Sequence, residues 1–313
     1  MKCTVCREPA CIDLRRHNSN FCSEHFLKFC RDQTARAISD HQMINPGDRV
    51  LVAVSGGKDS LALWDILLGL GYEADGLYIG LGITDYSDIS KEYAQTFAAS
   101  RGAKLIEVDV PDTYGYDIPN GSKAARRAPC SACGLSKRHI FDSVALEGGY
   151  AVVVTGHNLD DEAAVLFGNV IHWHTEYLGR QAPVLEAREG FPKKAKPLVR
   201  LGEREMAAYC VLADIDYMVD ECPMSAGNKH LRYKEALNMI EEQSPGTKAD
   251  FYHGFLRSAA DRFTDLVEEG RSALGQCQHC GSPSPAEVCA FCRLVERAGG
   301  QRIELTTKGE THS

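Results

Sequence analysis

The fold of this 313-residue chain is decided by the stretch Val50-Leu51-Val52-Ala53-Val54-Ser55-Gly56-Gly57-Lys58-Asp59-Ser60. Its first five residues form an apolar run typical of a buried strand, and the apolar residues after Ser60 predict a helix. The two glycines between these elements permit a tight turn and a close approach of the backbone to a ligand. N–H groups in such a loop, and at the start of the helix behind it, attract anions. The stretch therefore predicts a phosphate-binding strand–loop–helix unit whose spacing is shorter than that of a Walker A loop.

The composition sets broad limits on the kind of protein. Charged residues make up 25% and hydrophobic residues 44% of the chain, which is ordinary for a globular protein. No apolar run reaches membrane-spanning length, and the N-terminal residues lack the apolar core of a signal peptide. We expect a cytoplasmic protein without membrane association. In that reducing compartment, 13 cysteines indicate metal ligation rather than disulfides.

The net charge of −8 argues against a general nucleic-acid coat, but cations are concentrated in three local clusters. Each cluster alone is as typical of a solvated face as of a binding site, so its meaning depends on whether it surrounds a common site. The first basic cluster comprises Lys123, Arg126, Arg127, Lys137 and Arg138, the second Lys193, Lys194, Lys196, Arg200 and Arg204, and the third Lys229, Arg232 and Lys234.

The middle of the chain predicts alternating strands and helices. Strands are expected at residues 50–54, 74–79, 104–108 and 151–155, helices at 87–100, 130–146 and 159–170, a long loop at 110–128, and mainly helix from 203 onward. Continuous apolar strands alternating with helices indicate an α/β fold with a parallel sheet covered on both faces. Ligands of such sheets bind at the carboxyl ends of the strands. That edge would gather the loop at 55–60, Ile79 and the residues 156–161.

Two sets of cysteine and histidine near the chain ends have the spacing of structural zinc sites. Zn²⁺ takes four tetrahedral N or S ligands, and paired C-x2-C or C-x2-H elements supply them without a large core. The N-terminal set is Cys3, Cys6, Cys22 and His25, with His17 as a rival fourth ligand, and the C-terminal set is Cys277, Cys280, Cys289 and Cys292. Of the other thiols, Cys11, Cys30 and Cys210 are expected to be buried.

Three further cysteines form an inner set of their own. Cys130 and Cys133 open a predicted helix, where the helix dipole stabilises a thiolate, and Cys222 follows about ninety residues later. From the residues alone a redox pair, an incomplete zinc site and three ligands of an iron–sulfur cluster remain open. Lys137, one helical turn after Cys133, projects the same way and suits an anion-binding pocket. A cubane cluster on three cysteines would leave one iron free for an external ligand.

The loop at 55–60 resembles the PP-loop of the ATP pyrophosphatases, which cleave ATP between the α- and β-phosphates and adenylate a substrate. Together with the inner cysteines and both terminal zinc sets, the chain resembles the tRNA 2-thiolation enzymes of the TtuA type over about residues 1–295. The resemblance implies an ATP-dependent tRNA sulfurtransferase that works as a homodimer. Its substrate would be 5-methyluridine in the T loop, and its sulfur would come from the thiocarboxylate of a ubiquitin-like protein.

The resemblance also implies ligands and cofactors. The cofactors would be ATP, Mg²⁺, one 4Fe-4S cluster and two Zn²⁺. The catalytic groups would be Asp59, Asp161 and Lys137. The nucleotide would be bound by Ala53, Ser55, Gly56, Gly57, Lys58, Asp59, Ser60, Ile79, Lys137 and Gly156. The inner set Cys130, Cys133 and Cys222 would ligate the cluster. The expected division is a zinc finger at 1–30, an adenine nucleotide alpha hydrolase-like catalytic domain at 31–270, a second zinc finger at 271–298 and a polar tail at 299–313.

The expected reaction is adenylation of uridine O2 followed by displacement of AMP by sulfur held at the cluster. Thiolation of a wobble uridine or of cytidine is an alternative, as is a PP-loop ligase of the lysidine type, which needs no inner cysteines. A different class of function is a zinc-ribbon nucleic-acid-binding scaffold with an inactive nucleotide domain. The intact Lys58, Asp59 and Asp161 argue against that last class.

Overall fold

The computed structural model describes residues 1–225, 229–263 and 274–301, so most of the expected polar tail lies outside the described residues. In chain order, the elements are β1 (Ile12–Leu14), β2 (Ser19–Phe21), α1 (Ser23–Asp40), β3 (Arg49–Val54), α2 (Lys58–Gly69), β4 (Glu73–Gly80), α3 (Thr84–Arg101), β5 (Leu105–Asp109), α4 (Val110–Tyr114), α5 (Ile118–Ala124), α6 (Pro129–Glu147), β6 (Val152–Thr155), α7 (Leu159–Ile171), α8 (Thr175–Leu178), β7 (Val184–Leu185), β8 (Lys193–Ala195), α9 (Glu203–Leu212), α10 (Lys229–Gln243), α11 (Thr247–Ser258), β9 (Gly275–Gln276), β10 (Pro283–Ser284) and α12 (Ala290–Arg297).

The central sheet has six strands in the order β5-β4-β3-β6-β8-β7. All neighbours in it are parallel except β7, which pairs antiparallel with β8 at the edge. The four predicted strands and their parallel pairing are confirmed. The strands β7 and β8 were not predicted, because they are short and β8 begins with two lysines, a composition that hides a strand.

Both faces of the sheet are covered, as the continuous apolar strands predict. Side chains alternate along β3, so Val50, Val52 and Val54 join a core with residues of α1, α2 and α9. Leu51 joins a second core with α6 and α12. Phe291 of α12 and the C-terminal cysteines belong to this second core, so the segment 274–301 packs onto the central α/β fold.

The expected loop at 110–128 is wrong, because the segment holds the two short helices α4 and α5. Asp109 and Asp117 each cap one of these helices, accepting the backbone N–H groups of Asp112 (3.0 Å) and Asn120 (2.7 Å). A proline in the first turn supports each start. The helix expected at 87–100 begins earlier, at Thr84, and ends at Arg101, with Gly102 as its C-cap.

Within the described ranges, no helix is both long and apolar enough to cross a bilayer.

Candidate functional site

The glycine-rich loop joins β3 to α2 in a conformation that only glycine adopts easily. Gly56 has φ +75°, and a Cβ added there would lie 2.2 Å from the carbonyl oxygen of Ser90. The Ser60 hydroxyl closes the loop from inside: it accepts the N–H of Ser55 at 3.1 Å and donates to the carbonyl of Gly57 at 2.9 Å. The strand–loop–helix unit predicted from the sequence is therefore confirmed.

The end of β6 comes close to this loop, as predicted for two neighbouring parallel strands. A Cβ on Gly156 would lie 2.8 Å from the backbone carbon of Asp59, so glycine is required for the approach. Ala53 lies near the end of β3, paired with Leu77 of β4 and Thr155 of β6. The sheet thus brings together the carboxyl ends at which Ala53, Gly156 and Asp59 were expected. Their contacts with a nucleotide remain predictions.

Asn158 is a site residue that the sequence analysis missed. It is fully buried, caps α7 and donates from Nδ2 to Oδ1 of Asp59 at 3.0 Å. Its backbone N–H donates in return to Oδ2 of Asp161 at 3.1 Å. One asparagine therefore holds both predicted catalytic carboxylates. Asp161 also belongs to the capping box of α7, since its carboxylate accepts the backbone N–H of Asn158.

Two lysines and a glutamate complete a chain of alternating charges at the site. Lys58 Nζ lies 3.1 Å from Oδ2 of Asp59 and 2.8 Å from Oε1 of Glu203. Lys234 Nζ lies 3.1 Å from Oε2 of the same Glu203 and 2.6 Å from Oδ1 of Asp161. The order is Asp161–Lys234–Glu203–Lys58–Asp59. Lys234 was noticed only as part of the third basic cluster, and no sequence signal singled out Glu203.

The protonation states follow from burial and from these neighbours. Burial is the largest effect on Asp59 and raises its pKa, while the charge of Lys58 opposes the rise and that of Asp161 adds to it. Burial would also raise the pKa of Glu203, but the hydrogen bonds and charges of Lys58 and Lys234 lower it to about 2. Burial opposes the charge of Lys234, yet Asp161 and Glu203 raise its pKa. Near neutral pH, Glu203 is ionised and Lys234 is protonated.

Cys222 lies near Cys130 and Cys133 in space although it is distant from them in sequence. Cys130 Sγ lies 3.6 Å from the carbonyl oxygen of Met224, two residues after Cys222. Burial raises the pKa of Cys133, the charge of Lys137 lowers it, and the charges of Cys222 and Cys130 raise it further. Lys137 therefore lies beside the Cys133 thiol. In the described part of the chain it forms no ion pair with the carboxylates at the loop.

The inner set fits a cluster better than a single ion. Among the described residues, only the two terminal sets have all their ligand atoms within 4.8 Å of one another. In this structure the sulfurs of Cys130, Cys133 and Cys222 are therefore not all within 4.8 Å of one another, so they do not form a ready-made site for a single ion. In a cubane each cysteine binds a different iron, which separates the sulfurs more widely. Three thiols without a fourth also match a cluster with one open iron.

Both terminal sets have the dimensions of a tetrahedral metal site. A Zn–S bond of about 2.3 Å puts two sulfurs of a tetrahedron about 3.8 Å apart. The corresponding sulfur–sulfur distances are 3.8 Å for Cys6–Cys22, 3.9 Å for Cys277–Cys292 and 3.7 Å for Cys280–Cys289.

The remaining histidine and cysteine predictions are resolved by the structure. His25 belongs to the N-terminal set, with Nδ1 3.1 Å from the sulfur of Cys22, whereas His17 packs edge-on against Phe29. Cys30 and Cys210 are buried as expected. Cys11 is exposed, so its expected burial is wrong; it lies in the small N-terminal finger, which has little interior to cover it.

The structure separates the three basic clusters. In the second, Lys194 pairs with Asp142 at 2.6 Å and Lys196 with Glu162 at 2.7 Å, while Lys193 and Arg200 also have acidic partners. In the first, Lys123, Arg126, Arg127 and Arg138 are exposed, and the described residues place no carboxylate in an ion pair with them. The first cluster thus keeps its positive charge at the surface.

The segment that carries Cys222 also touches the loop. The backbone N–H of Met218, four residues before Cys222, donates to the carbonyl oxygen of Gly56 at 2.9 Å. Cys133 and Cys222 pack against the apolar core that contains Ile79, at the carboxyl end of β4. The inner cysteines and the loop therefore share one edge of the sheet.

Known proteins with these features are similar over nearly the whole chain. A family model of the N-terminal LIM domain of the 2-thiouridine synthetase TtuA matches residues 2–27, and one of the PP-loop domain matches residues 23–236. The tRNA-5-methyluridine(54) 2-sulfurtransferase of Thermus thermophilus is 50% identical over 294 residues, which cover 94% of this chain and 91% of the relative. Its counterpart from Pyrococcus horikoshii is 40% identical, over 94% of this chain and 93% of the relative.

A solved structure has the same fold. The U34-tRNA thiolase NcsA from Methanococcus maripaludis, solved with its 4Fe-4S cluster, superposes with a TM-score of 0.77 at 24% identity and covers 95% of this chain and 96% of its own. The fold, the glycine-rich loop, the matches to the two family models and the identity to the two relatives all lead to one assignment. The chain belongs to the PP-loop family and, within it, to the group of TtuA-type tRNA 2-thiolation proteins.

Proposed function

We propose that this protein is an ATP-dependent tRNA sulfurtransferase that converts a uridine, the T-loop 5-methyluridine, to its 2-thio form. The observation that carries the proposal is the shared sheet edge. There the hydrogen bond from Met218 to Gly56 joins the segment of Cys222 to the phosphate-binding loop. An adenylating site and a sulfur-binding thiol set side by side are what a thiolation enzyme needs. The named activity of the relatives supports the same reaction.

The first half of the reaction belongs to the loop. Lys58 and the N–H groups at the start of α2 would bind the phosphates of ATP, where the helix dipole favours negative charge. Asp59 and Asp161 present the carboxylate oxygens that Mg²⁺ prefers, and bound Mg²⁺ would neutralise phosphate charge. Uridine O2 attacks the α-phosphorus and pyrophosphate leaves. Lys58 stabilises the negative charge that develops on the leaving group.

The second half belongs to the inner cysteines. A 4Fe-4S cluster on Cys130, Cys133 and Cys222 would supply an iron with an open position for sulfide. Sulfur attacks C2 of the adenylated base, the C2–O bond breaks and AMP leaves. Lys137, beside Cys133, provides a positive charge where sulfide and AMP carry negative charge. The base must be unstacked to offer its O2, as in a loop or a flipped nucleotide.

The first basic cluster is the proposed contact for the tRNA backbone. Its exposed cations lie on α5, on the turn to α6 and on α6 itself, the helix that carries Cys130 and Cys133. Arg126 in that turn has φ +53°, a strained backbone for an arginine, and both Arg126 and Arg127 are exposed. Uncompensated arginines beside a thiol set suit phosphates that must approach the reactive centre.

The wider proposal follows the family resemblance. It comprises Zn²⁺ in both terminal sets, a ubiquitin-like sulfur carrier, a homodimer and a cytoplasmic location. The domain division at residues 30, 270 and 298 also remains a prediction.

The proposal is tested with anaerobically reconstituted protein, ATP, sulfide and tRNA that contains 5-methyluridine. Mass spectrometry of the nucleosides should show 5-methyl-2-thiouridine, with AMP and pyrophosphate formed. Cys130→Ala should abolish thiolation, while the matched variant Cys11→Ala, in the N-terminal finger, should not. Thiolated cytidine or wobble uridine would reject the proposed nucleotide. Full thiolation by Cys130→Ala would reject the role of the inner cysteines.

A further inference from the structure

Glu203 joins two lysines that come from different parts of the chain. Lys58 opens α2 directly after the phosphate-binding loop, and Lys234 lies on α10. The two oxygens of the Glu203 carboxylate each accept one of these ammonium groups, at 2.8 Å and 3.1 Å. Two oxygens of one phosphate group could take the place of the two carboxylate oxygens in the same arrangement.

The position of Glu203 is rigid. Its backbone N–H donates to Oδ2 of the buried Asp160 at 2.9 Å. The preceding Gly202 donates its N–H to the carboxylate of Glu205 at 2.9 Å, which caps α9. Lys234 is held as well, because its helix packs against α7 and its ammonium group also binds Asp161. The two lysines are therefore held in place before any ligand binds.

Both lysines lie where a ligand can reach them. The side chains of Lys58 and Lys234 are 22% and 20% exposed, so they are screened from water but open to a ligand. Glu203 is the one carboxylate that contacts both lysines, and Asp59 and Asp161 each contact one of them. Phosphate oxygens that enter the loop meet both ammonium groups at once.

We propose that Lys234 is a second phosphate-binding residue of the nucleotide site, opposite Lys58, and that Glu203 is the positioning residue that orients both lysines. This inference rests on the proposed use of ATP and assigns which cations hold its polyphosphate. Lys234 then binds the β- and γ-phosphates, which AMP lacks. The phosphates of the nucleotide replace the Glu203 carboxylate as partners of the two lysines, and the lysines keep their positions.

The test is equilibrium binding of ATP and of AMP to the full-length protein, without tRNA or sulfur. Lys234→Gln should weaken ATP binding roughly tenfold to a hundredfold, the worth of a charged hydrogen bond, and leave AMP binding unchanged. Lys234→Arg keeps the charge and should restore most of the affinity. The matched control is Lys229→Gln, an exposed lysine at the start of the same helix, which should bind both nucleotides as the wild type does.

Glu203→Gln separates positioning from a structural role. With the competing charge gone, ATP should bind as tightly as before or more tightly, while kcat for pyrophosphate release falls roughly tenfold. Loss of ATP affinity in step with thermal stability would overturn the positioning role. Equal ATP affinity of Lys234→Gln and wild type would overturn the role of Lys234. A wild-type protein that binds no ATP would instead overturn the proposed function, and this inference with it.

Discussion

Replacing Arg16 by methionine should destabilise the protein and disturb its nucleotide site, although Arg16 lies in the N-terminal finger. It belongs to the short turn Arg15–His17 between β1 and β2. Its Nη2 lies 2.6 Å from Oε2 of Glu205 and 2.9 Å from the carbonyl oxygen of Arg200. The finger therefore reaches the start of α9, two residues from Glu203.

The magnitude follows from burial. The side chains of Arg16 and Glu205 are only 11% and 8% exposed. Burial already raises the pKa of Glu205 against the opposing charge of Arg16. Removing one partner of a buried ion pair leaves an uncompensated charge and costs about 3–5 kcal/mol. We expect Arg16→Met to lower the melting temperature by roughly 10 °C.

Thermal unfolding and ATP binding of four proteins provide the assay: wild type, Arg16→Met, Glu205→Gln and the double variant. Glutamine at 205 still has an oxygen to cap α9, so the double variant should recover about 2 kcal/mol or more of the loss. ATP affinity should fall in Arg16→Met and recover in the double variant. A loss below about 1 kcal/mol, or a double variant no more stable than Arg16→Met, would refute the buried pair as the link between finger and site.

Three further changes have defined outcomes. Burial raises the pKa of Asp59. Its carboxyl group therefore contributes to the stability of the fold below its ordinary pKa, and this contribution is lost as the pH rises through the raised pKa. Asp59→Asn should therefore abolish pyrophosphate release yet raise the melting temperature at neutral pH; an equal or lower melting temperature would contradict the shift. Gly56→Ala places a Cβ 2.2 Å from a backbone oxygen at φ +75°, so it should abolish ATP binding, checked by calorimetry with circular dichroism as the folding control. The pair Arg126→Glu and Arg127→Glu should weaken tRNA binding and lower the salt slope of log Kd by about 2, while ATP binding stays constant. An unchanged salt slope would exclude the first basic cluster as the tRNA contact.

Much of the site could be predicted because its requirements are local in sequence. A glycine at positive φ, a lysine and an aspartate at the first helical turn, and cysteine pairs at fixed spacing are all read from neighbouring residues. The two terminal cysteine sets are of this kind, and their sulfur–sulfur distances fit the predicted tetrahedral metal sites. The parallel order of four strands also followed, since apolar runs separated by helices allow few other sheets.

The prediction failed where local patterns were weak. The helices α4 and α5 depend on two aspartate caps in a segment without apolar periodicity. The two lysines of β8 pair with Glu186 and Asp142, acids that lie outside the strand. A basic residue on its own does not reveal whether a carboxylate from another element will face it. Only the structure distinguished the second cluster, in which four of five cations have acidic partners, from the exposed first one.

The sequence by itself determined the glycine-rich loop, the parallel sheet and the two terminal sets of candidate metal ligands, because each depends on patterns among residues close together in the chain. It left the role of the three inner cysteines open, since Cys222 lies about ninety residues from the other two. The tertiary structure alone decided that Glu203 and Lys234 join Lys58, that Asn158 holds Asp59 and that Met218 bonds to Gly56. Those contacts join elements far apart in sequence. Electrostatic and hydrogen-bond energies depend on distance in space, which separation along the chain does not specify.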